Sequence, residues 1–383
     1  MFESSYIEIS KSALQTNLKF LRQRIGPHAK YCSVVKGNAY GHGLVEFVKL
    51  SMDCGVDYFA VYSADEAYKI VQNIKKRPEI YIIGFVENEA VEWAINEGIE
   101  FCIFDMQRLE TALKFAKKLK KKAKIQIDLE TGMNRTGLDE KGIIAAGELI
   151  TKHADQFDLR GACTHFAGAE SMANNFRVSQ QIGSFYKSML TVGRTGMKPV
   201  FQHLACSAAV MNYPETVSNM VRVGIMQYGF WPNAETFVRF TGEKEKSNKH
   251  IKRIISWKSK VMNVKKVKKG NFIGYGTTYL AHHDMTVAII PVGYSHGYSR
   301  NLSNTGKVLI HGAEAPIAGV VNMNAITVDI SHIENVKKGD EVVLIGTQKN
   351  KTVSVFSFSE MSNMLNYEML TRLPQDIPRI IVD

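Results

Sequence analysis

Between about residues 30 and 225 the chain alternates short apolar runs with longer stretches whose apolar positions recur at helical spacing. The runs 31–36, 58–62, 80–84, 100–104, 124–129, 159–165, 201–204 and 220–223 have strand length and are rich in Val, Ile, Phe and Tyr. Between them, segments such as 63–73, 106–119 and 174–190 read as helices, and Ser10 is placed to cap a helix starting near Lys11. Strands alternating with helices predict a parallel sheet, and eight such repeats are the number that closes a (β/α)8 TIM barrel. After about residue 235 the pattern changes. A polar stretch, 243–252, reads as an exposed connection, and then come short strand-like runs broken by glycine: 255–261, 285–291, 307–310, 325–329 and 341–345, with one helical pattern at 357–365. The expected fold is α/β: a barrel over 1–240, whose first few residues are free to pair with the second domain, and a mainly β domain over 241–383.

Composition narrows the class without naming it. The chain has 383 residues, 45% hydrophobic and 22% charged, which is ordinary for a soluble globular protein of two domains. No apolar run approaches the roughly 18 residues that span a bilayer. The opening MFESSYIEIS lacks the apolar core of a secretory signal. Five cysteines form an odd set without a CxxC pair, which suits reduced thiols in a cytoplasmic protein and offers no metal site. The net charge of +11 is spread over lysine tracts at 117–124, 244–252 and 258–269, and no nucleic-acid motif accompanies them. They read as solvated surface, with no nucleic-acid or membrane partner.

The chemistry of a barrel sits at the C-terminal ends of its strands. Lys36, His165, Ser207, Arg222, Gly224 and Ile225 all fall at or just beyond such ends, and Arg135 lies in the loop after the fifth. A lysine closing a buried strand is either salt-bridged or used as an amine nucleophile towards a carbonyl. Ser207, Gly224 and Ile225 offer a hydroxyl and backbone N–H groups where barrels bind phosphate. A lysine beside a phosphate cradle points towards pyridoxal 5′-phosphate. Taken singly, His165 is as well explained as a core histidine, Tyr275 as packing, Arg222 as an ion pair and Met323 as core filler.

Read together, these residues lie in a series of motifs. The segment 34–43, Val-Val-Lys-Gly-Asn-Ala-Tyr-Gly-His-Gly, closely resembles the cofactor-lysine signature of alanine racemases. Thr131-Gly132-Met133-Asn134-Arg135, Thr164-His165-Phe166-Ala167, His203-Leu204-Ala205-Cys206-Ser207 and Val221-Arg222-Val223-Gly224-Ile225 follow in the family's order. In the second domain, Gly274-Tyr275-Gly276-Thr277, the stretch 293–298, Asn322-Met323-Asn324 and Asn366-Tyr367-Glu368 also have counterparts.

The resemblance implies a pyridoxal-phosphate-dependent racemase that interconverts L- and D-alanine and supplies D-alanine for peptidoglycan. It implies two bases on opposite faces of the substrate, Lys36 and Tyr275, with His165 and Arg222 tuning Tyr275 and Arg222 also facing the pyridine nitrogen. Tyr40, Ser207, Gly224, Ile225 and Tyr367 would hold the phosphate. Arg135, Met323 and Tyr294 would meet the substrate, and Tyr275, Tyr294 and Met323 would come from the partner in a homodimer with shared active sites. Related decarboxylases carry a glutamate at the Arg222 position. There are departures too: Asp128 stands where many members have a lysine, Cys206 replaces an asparagine, Val223 a proline, Asn324 an aspartate, His296 an acidic residue and Val320 an entrance arginine. These leave a serine or broad-specificity racemase as one alternative and a non-catalytic pyridoxal-phosphate-binding protein as another.

Overall fold

The structure is a computed structural model that describes residues 3–242, 250–355 and 366–383. The chain divides into two compact units, one of Ser12–Lys36 with Val48–Arg253, the other of Met1–Lys11, Gly37–Phe47 and Ile254–Asp383. Among the described residues no helix is long and apolar enough to cross a membrane.

The first unit is built on eight parallel strands: β2 (Lys30–Val34), β3 (Tyr58–Ser63), β4 (Glu79–Phe85), β5 (Glu100–Ile103), β6 (Ala123–Asp128), β7 (Phe157–Cys163), β8 (Phe201–His203) and β9 (Met220–Val223). They run β8-β7-β6-β5-β4-β3-β2-β9 around the sheet. The remaining gap between β8 and β9 is crossed by the Cys206–Arg222 bridge and by Arg222 N–H donating to the Ala205 carbonyl at 3.0 Å, which leaves the barrel nearly closed. This is the (β/α)8 fold expected from the alternation of elements. β5 shows why its sequence makes an interior strand: all of Glu100, Phe101, Cys102 and Ile103 are buried, as parallel strands covered on both faces require.

The outer helices carry one apolar stripe each. Met106–Leu119 starts at Asp105, whose carboxylate accepts the Arg108 N–H at 2.8 Å, and it buries Leu109, Ala112 and Ala116 at helical spacing. It ends at Lys120 in the left-handed conformation, with Lys117 and Lys118 in the last turn, where cations suit the helix dipole. The 117–124 lysine tract thus belongs to a helix end, the turn after it and the start of β6.

The second unit contains two sheets. Its strands are β1 (Ser5–Ser10), β10 (Ile255–Lys260), β11 (Asn263–Val267), β12 (Met285–Ile290), β13 (Lys307–Ile310), β14 (Ala313–Pro316), β15 (Ile326–Asp329), β16 (Glu341–Gln348), β17 (Lys351–Val353) and β18 (Arg379–Val382). One sheet runs β14-β13-β16-β10-β1-β18 with β17 on β16, the other β11-β12-β15. β1 lies between β10, antiparallel, and β18, parallel, and its alternation buries Ile7 and Ile9 on one face. The expected helix at 357–365 and most of the expected connection at 243–252 lie outside the described residues.

Candidate active site

The strand expected over 31–36 ends at Val34, and Lys36 follows it as the first residue of a tight turn. Gly37, Asn38, Ala39, Tyr40 and Gly41 all have positive φ, and the Gly41 N–H closes the turn on the Gly37 carbonyl at 2.9 Å. Left-handed backbone costs a non-glycine residue about 1–2 kcal/mol. A run of it is stored strain of the kind that clusters at functional sites.

The barrel unit brings a compact set of cations to the strand ends. Lys36 keeps solvent contact, yet its amine is held below the usual lysine range, first by the packed atoms around it, then by Arg135, and less by Arg222, with Glu66 opposing. His165 stands two residues beyond β7 and is half-buried. Burial first, then Arg222, Arg135 and Lys36, lower it to about 3, so the imidazole is neutral. Arg222 is buried on β9 and donates to the Thr164 carbonyl at 2.6 Å, to the His203 carbonyl at 2.8 Å and to His203 Nδ1. No hydrogen bond joins it to the His165 ring. It acts on His165 through its field and by fixing the preceding carbonyl. The Ser207 hydroxyl accepts the Gly224 N–H at 2.9 Å, so the hydroxyl and the start of the 225–228 turn are one local structure.

Asp128 ends β6 and accepts the Thr136 hydroxyl at 2.8 Å. Burial raises it to about 6 against the opposing pull of Thr136, Arg222 and Arg135. It makes no ion pair within 4 Å with Arg135, which is exposed.

Two residues not singled out in the sequence shape these loops. Glu130 accepts the N–H groups of Gly132 at 2.5 Å and Asn134 at 3.0 Å, curling the 131–135 loop that carries Arg135. Gln181, buried on the helix Asn175–Arg194, donates to the His165 carbonyl at 2.9 Å and accepts the Ala167 N–H at 2.8 Å. A buried glutamine amid helical apolar positions was the available signal.

The second unit carries the remaining candidates. The rings of Tyr40 and Tyr367 meet edge to face at 6.4 Å. Tyr275 sits between Gly274 and Gly276, both left-handed, and is 76% exposed, while Tyr294 and Met323 are 43% and 55% exposed. Tyr294 N–H donates to the Asn322 carbonyl and Ser295 N–H to the Met323 carbonyl, each at 3.0 Å, which places the two segments side by side. A separate cavity of about 1270 Å³ opens at the other end of the barrel, among Arg22, Lys30, Asp57 and Phe201. It contains none of the candidate residues.

A (β/α)8 barrel with a lysine past its first strand, cations at its strand ends and a further β unit places the chain in a class of two-part barrel enzymes. Residues 9–232 match the family model described as alanine racemase, N-terminal domain, and residues 254–381 match that of the C-terminal domain. The chain belongs to the alanine racemase family and is an isomerase of that class. It is 32% identical to an alanine racemase of Leptospira interrogans over 99% of this chain and 96% of that one. A solved alanine racemase of Clostridium difficile 630 superposes with a TM-score of 0.91 at 29% identity, covering 100% of this chain and 96% of that one. The same relative solved in complex with cycloserine gives 0.89 at 29% identity over the same shares.

Proposed function

We propose that the chain interconverts L- and D-alanine with pyridoxal 5′-phosphate, and that it works as a cytoplasmic homodimer supplying D-alanine for peptidoglycan. The observation that carries this reading is the charge balance around Lys36. Arg135 and Arg222 adjoin it, Glu66 opposes them, and His165 is neutral. Such a site fits an anionic aldehyde cofactor, and its cations shift the Lys36 amine towards the unprotonated form. Ser207, Gly224 and Ile225, with Tyr40 and Tyr367, would hold the phosphate, and Lys36 would hold the aldehyde carbon. When bound, the cofactor supplies the electron sink that acidifies the substrate Cα–H.

Lys36 exchanges the Cα proton on one face and the Tyr275 hydroxyl does so on the other. Both groups titrate near 10 unperturbed, so tuning towards neutrality favours proton transfer. The lowering of Lys36 is in that direction. Arg222 would face the pyridine nitrogen with a guanidinium that has no readily lost proton, which would keep the ring a weak sink and limit side reactions. Arg135 and the Met323 N–H hold the substrate carboxylate, and Tyr294 closes the substrate space. The functional division is a cofactor barrel over 1–240 and a β domain over 241–383 that gives Tyr275, Tyr294 and Met323 to the partner. Their exposure in a single chain supports that assignment.

A serine or broad-specificity racemase is the second reading, favoured by Val320 at an entrance position usually held by arginine. The test is conversion of a panel of L-amino acids by purified protein with added cofactor, read by chiral chromatography. D-alanine formed fastest supports the first reading. No racemisation of any amino acid overturns both.

A further inference from the structure

A line of buried polar side chains crosses the barrel interior from Arg222 to the opposite strand ends. His203 on β8, fully buried, sets Nδ1 against Arg222 and Nε2 2.6 Å from Gln126 Oε1. Gln126 on β6, also fully buried, donates through Nε2 to Glu100 Oε2 at 2.5 Å and to the Tyr58 hydroxyl at 2.8 Å. Glu100 on β5 accepts the Tyr58 hydroxyl at 2.5 Å as well, and its other oxygen lies 3.3 Å from Arg160 Nε. Arg160 in turn reaches Glu79 at 3.2 Å.

The chemistry of the groups gives the line a direction. A carboxylate only accepts, so the Gln126 amide must turn its NH2 to Glu100 and its carbonyl to His203. That carbonyl also only accepts, so Nε2 must carry the imidazole proton. Burial, with Arg222 second, holds His203 well below its ordinary range, so it has a single proton and Nδ1 is left as a lone pair. A guanidinium only donates, and a lone pair at Nδ1 is the partner it needs. With the amide reversed, an N–H would face Arg222 and two donors would collide in a dry interior. Burial pushes the Glu100 carboxyl up, while Tyr58, Gln126 and Arg160 pull it back towards the charged form.

We propose that Glu100 is a positioning residue for Arg222: its carboxylate fixes the Gln126 amide, hence the Nε2–H tautomer of His203, hence the acceptor that holds the guanidinium. The consequence for the reaction rests on Arg222 facing the cofactor, but the tautomer does not. Glu100 touches no reacting atom and acts through three side chains, Gln126, His203 and Arg222. Outer partners of this sort commonly change activity by about tenfold to a hundredfold when lost.

The experiment is long-range 1H–15N spectroscopy of the cofactor-loaded protein labelled at histidine nitrogens, with His203 assigned by the signal missing from His203→Gln. The unsubstituted protein should show His203 as the Nε2–H tautomer. In Glu100→Gln, which removes the charge at constant shape, that signal should move to the Nδ1–H form or a mixture. Racemisation should fall about tenfold while a borohydride-stable adduct still forms on Lys36. Glu100→Asp should restore much of both, and Tyr58→Phe, which leaves the carboxylate in place, should keep the tautomer. An Nδ1–H signal in the unsubstituted protein overturns the proposal whatever the variants do, as does an unchanged tautomer in Glu100→Gln. Failure of the unsubstituted protein to racemise alanine would instead count against the proposed function and leave the tautomer assignment standing.

Discussion

Gly41 lies against the carbonyl of Leu370 so closely that a Cβ built on it would stand 2.0 Å from that oxygen and 2.6 Å from its carbon. Its φ of +84° is also one that side chains resist. The Gly41 carbonyl accepts from Arg379 at 3.1 Å, so the turn after Lys36 is gripped from both sides of one residue.

Gly41→Ala should therefore destabilise the protein by about 3 kcal/mol or more, because backbone cannot move aside as a flexible side chain can. Gly26→Ala is the matched control. Its φ is +76°, but nothing lies within 4 Å of the added carbon, so only the left-handed penalty of about 1 kcal/mol remains. Urea unfolding of the two variants reads the difference, and equal losses would contradict the packing argument.

Lys36→Ala should abolish the borohydride-stable cofactor adduct and reduce D-alanine formation to the rate with cofactor alone. Peptide mass spectrometry of the reduced protein locates the adduct. Finding it on another lysine refutes the assignment of Lys36.

Tyr275→Phe keeps the ring and removes only the transferable proton, so it should lower racemisation in both directions by about 10²–10⁴-fold. Cofactor attachment at Lys36 should persist. In heavy water, exchange at Cα should become one-sided, continuing from the enantiomer that Lys36 serves. Symmetric exchange with near-normal turnover would exclude a tyrosine base.

Tyr367 packs edge-on to Tyr40, and in the proposed site it limits the space for the substrate side chain. Alanine should be turned over best, serine well behind, and lysine barely, since steric exclusion discriminates more than the 1–3 kcal/mol or so of a missing methylene. Tyr367→Ala should widen the range and weaken phosphate binding together. Comparing kcat/KM for the three amino acids decides it. Lysine within about tenfold of alanine would promote the broad-specificity reading.

Acid should destabilise the fold through histidines that burial keeps neutral. Burial comes first in lowering both His42 and His165, from 6.5 to about 3. A depressed folded-state value leaves their contribution intact above pH 6.5 and erodes it as pH falls towards 3. At pH 4.5 the loss is about 2–3 kcal/mol for each. Asp128 has the opposite sign: raised from 3.8 to about 6, its burial costs stability above pH 6 and nothing well below 3.8. Asp128→Asn should thus steepen the acid loss between pH 6 and 4, measured by urea midpoints. A shallower loss would show that the carboxylate is not held up.

The barrel was legible because each strand is a short apolar run with polar turns, and the eight runs fall where β2 to β9 form. β1 was foreseen only as a pairing of the first few residues with the second domain, not as a strand with bounds. Buried Ile7 and Ile9 alternate with half-buried Tyr6 and Glu8, but the residues that pair with the two isoleucines, Trp257 and Ile381 among them, are hundreds of positions away. The left-handed turn was hidden for another reason. Asn38, Ala39 and Tyr40 adopt positive φ against their own preferences, so tertiary contacts such as Gly41 on Leu370 decide it. Glu100 and Gln126 stand in the expected strands, but linear spacing gives no sign that their side chains meet between neighbouring strands inside the barrel.

The position of β1 has a consequence for the order of synthesis. It is made long before the strands it pairs with and lies inside its sheet, for its neighbours begin only at Ile255 and Arg379. The barrel unit can be complete in sequence once Arg253 has been added, while Ile7 and Ile9 still wait on a strand with two open edges. Such an edge is a template for wrong pairing. A growing chain must therefore keep Ser5–Ser10 unpaired until Ile255 and beyond have been made, and a bulky fusion placed directly before Ser5 would burden a strand one place from the edge of a sheet whose edge strand arrives at residues 379–382.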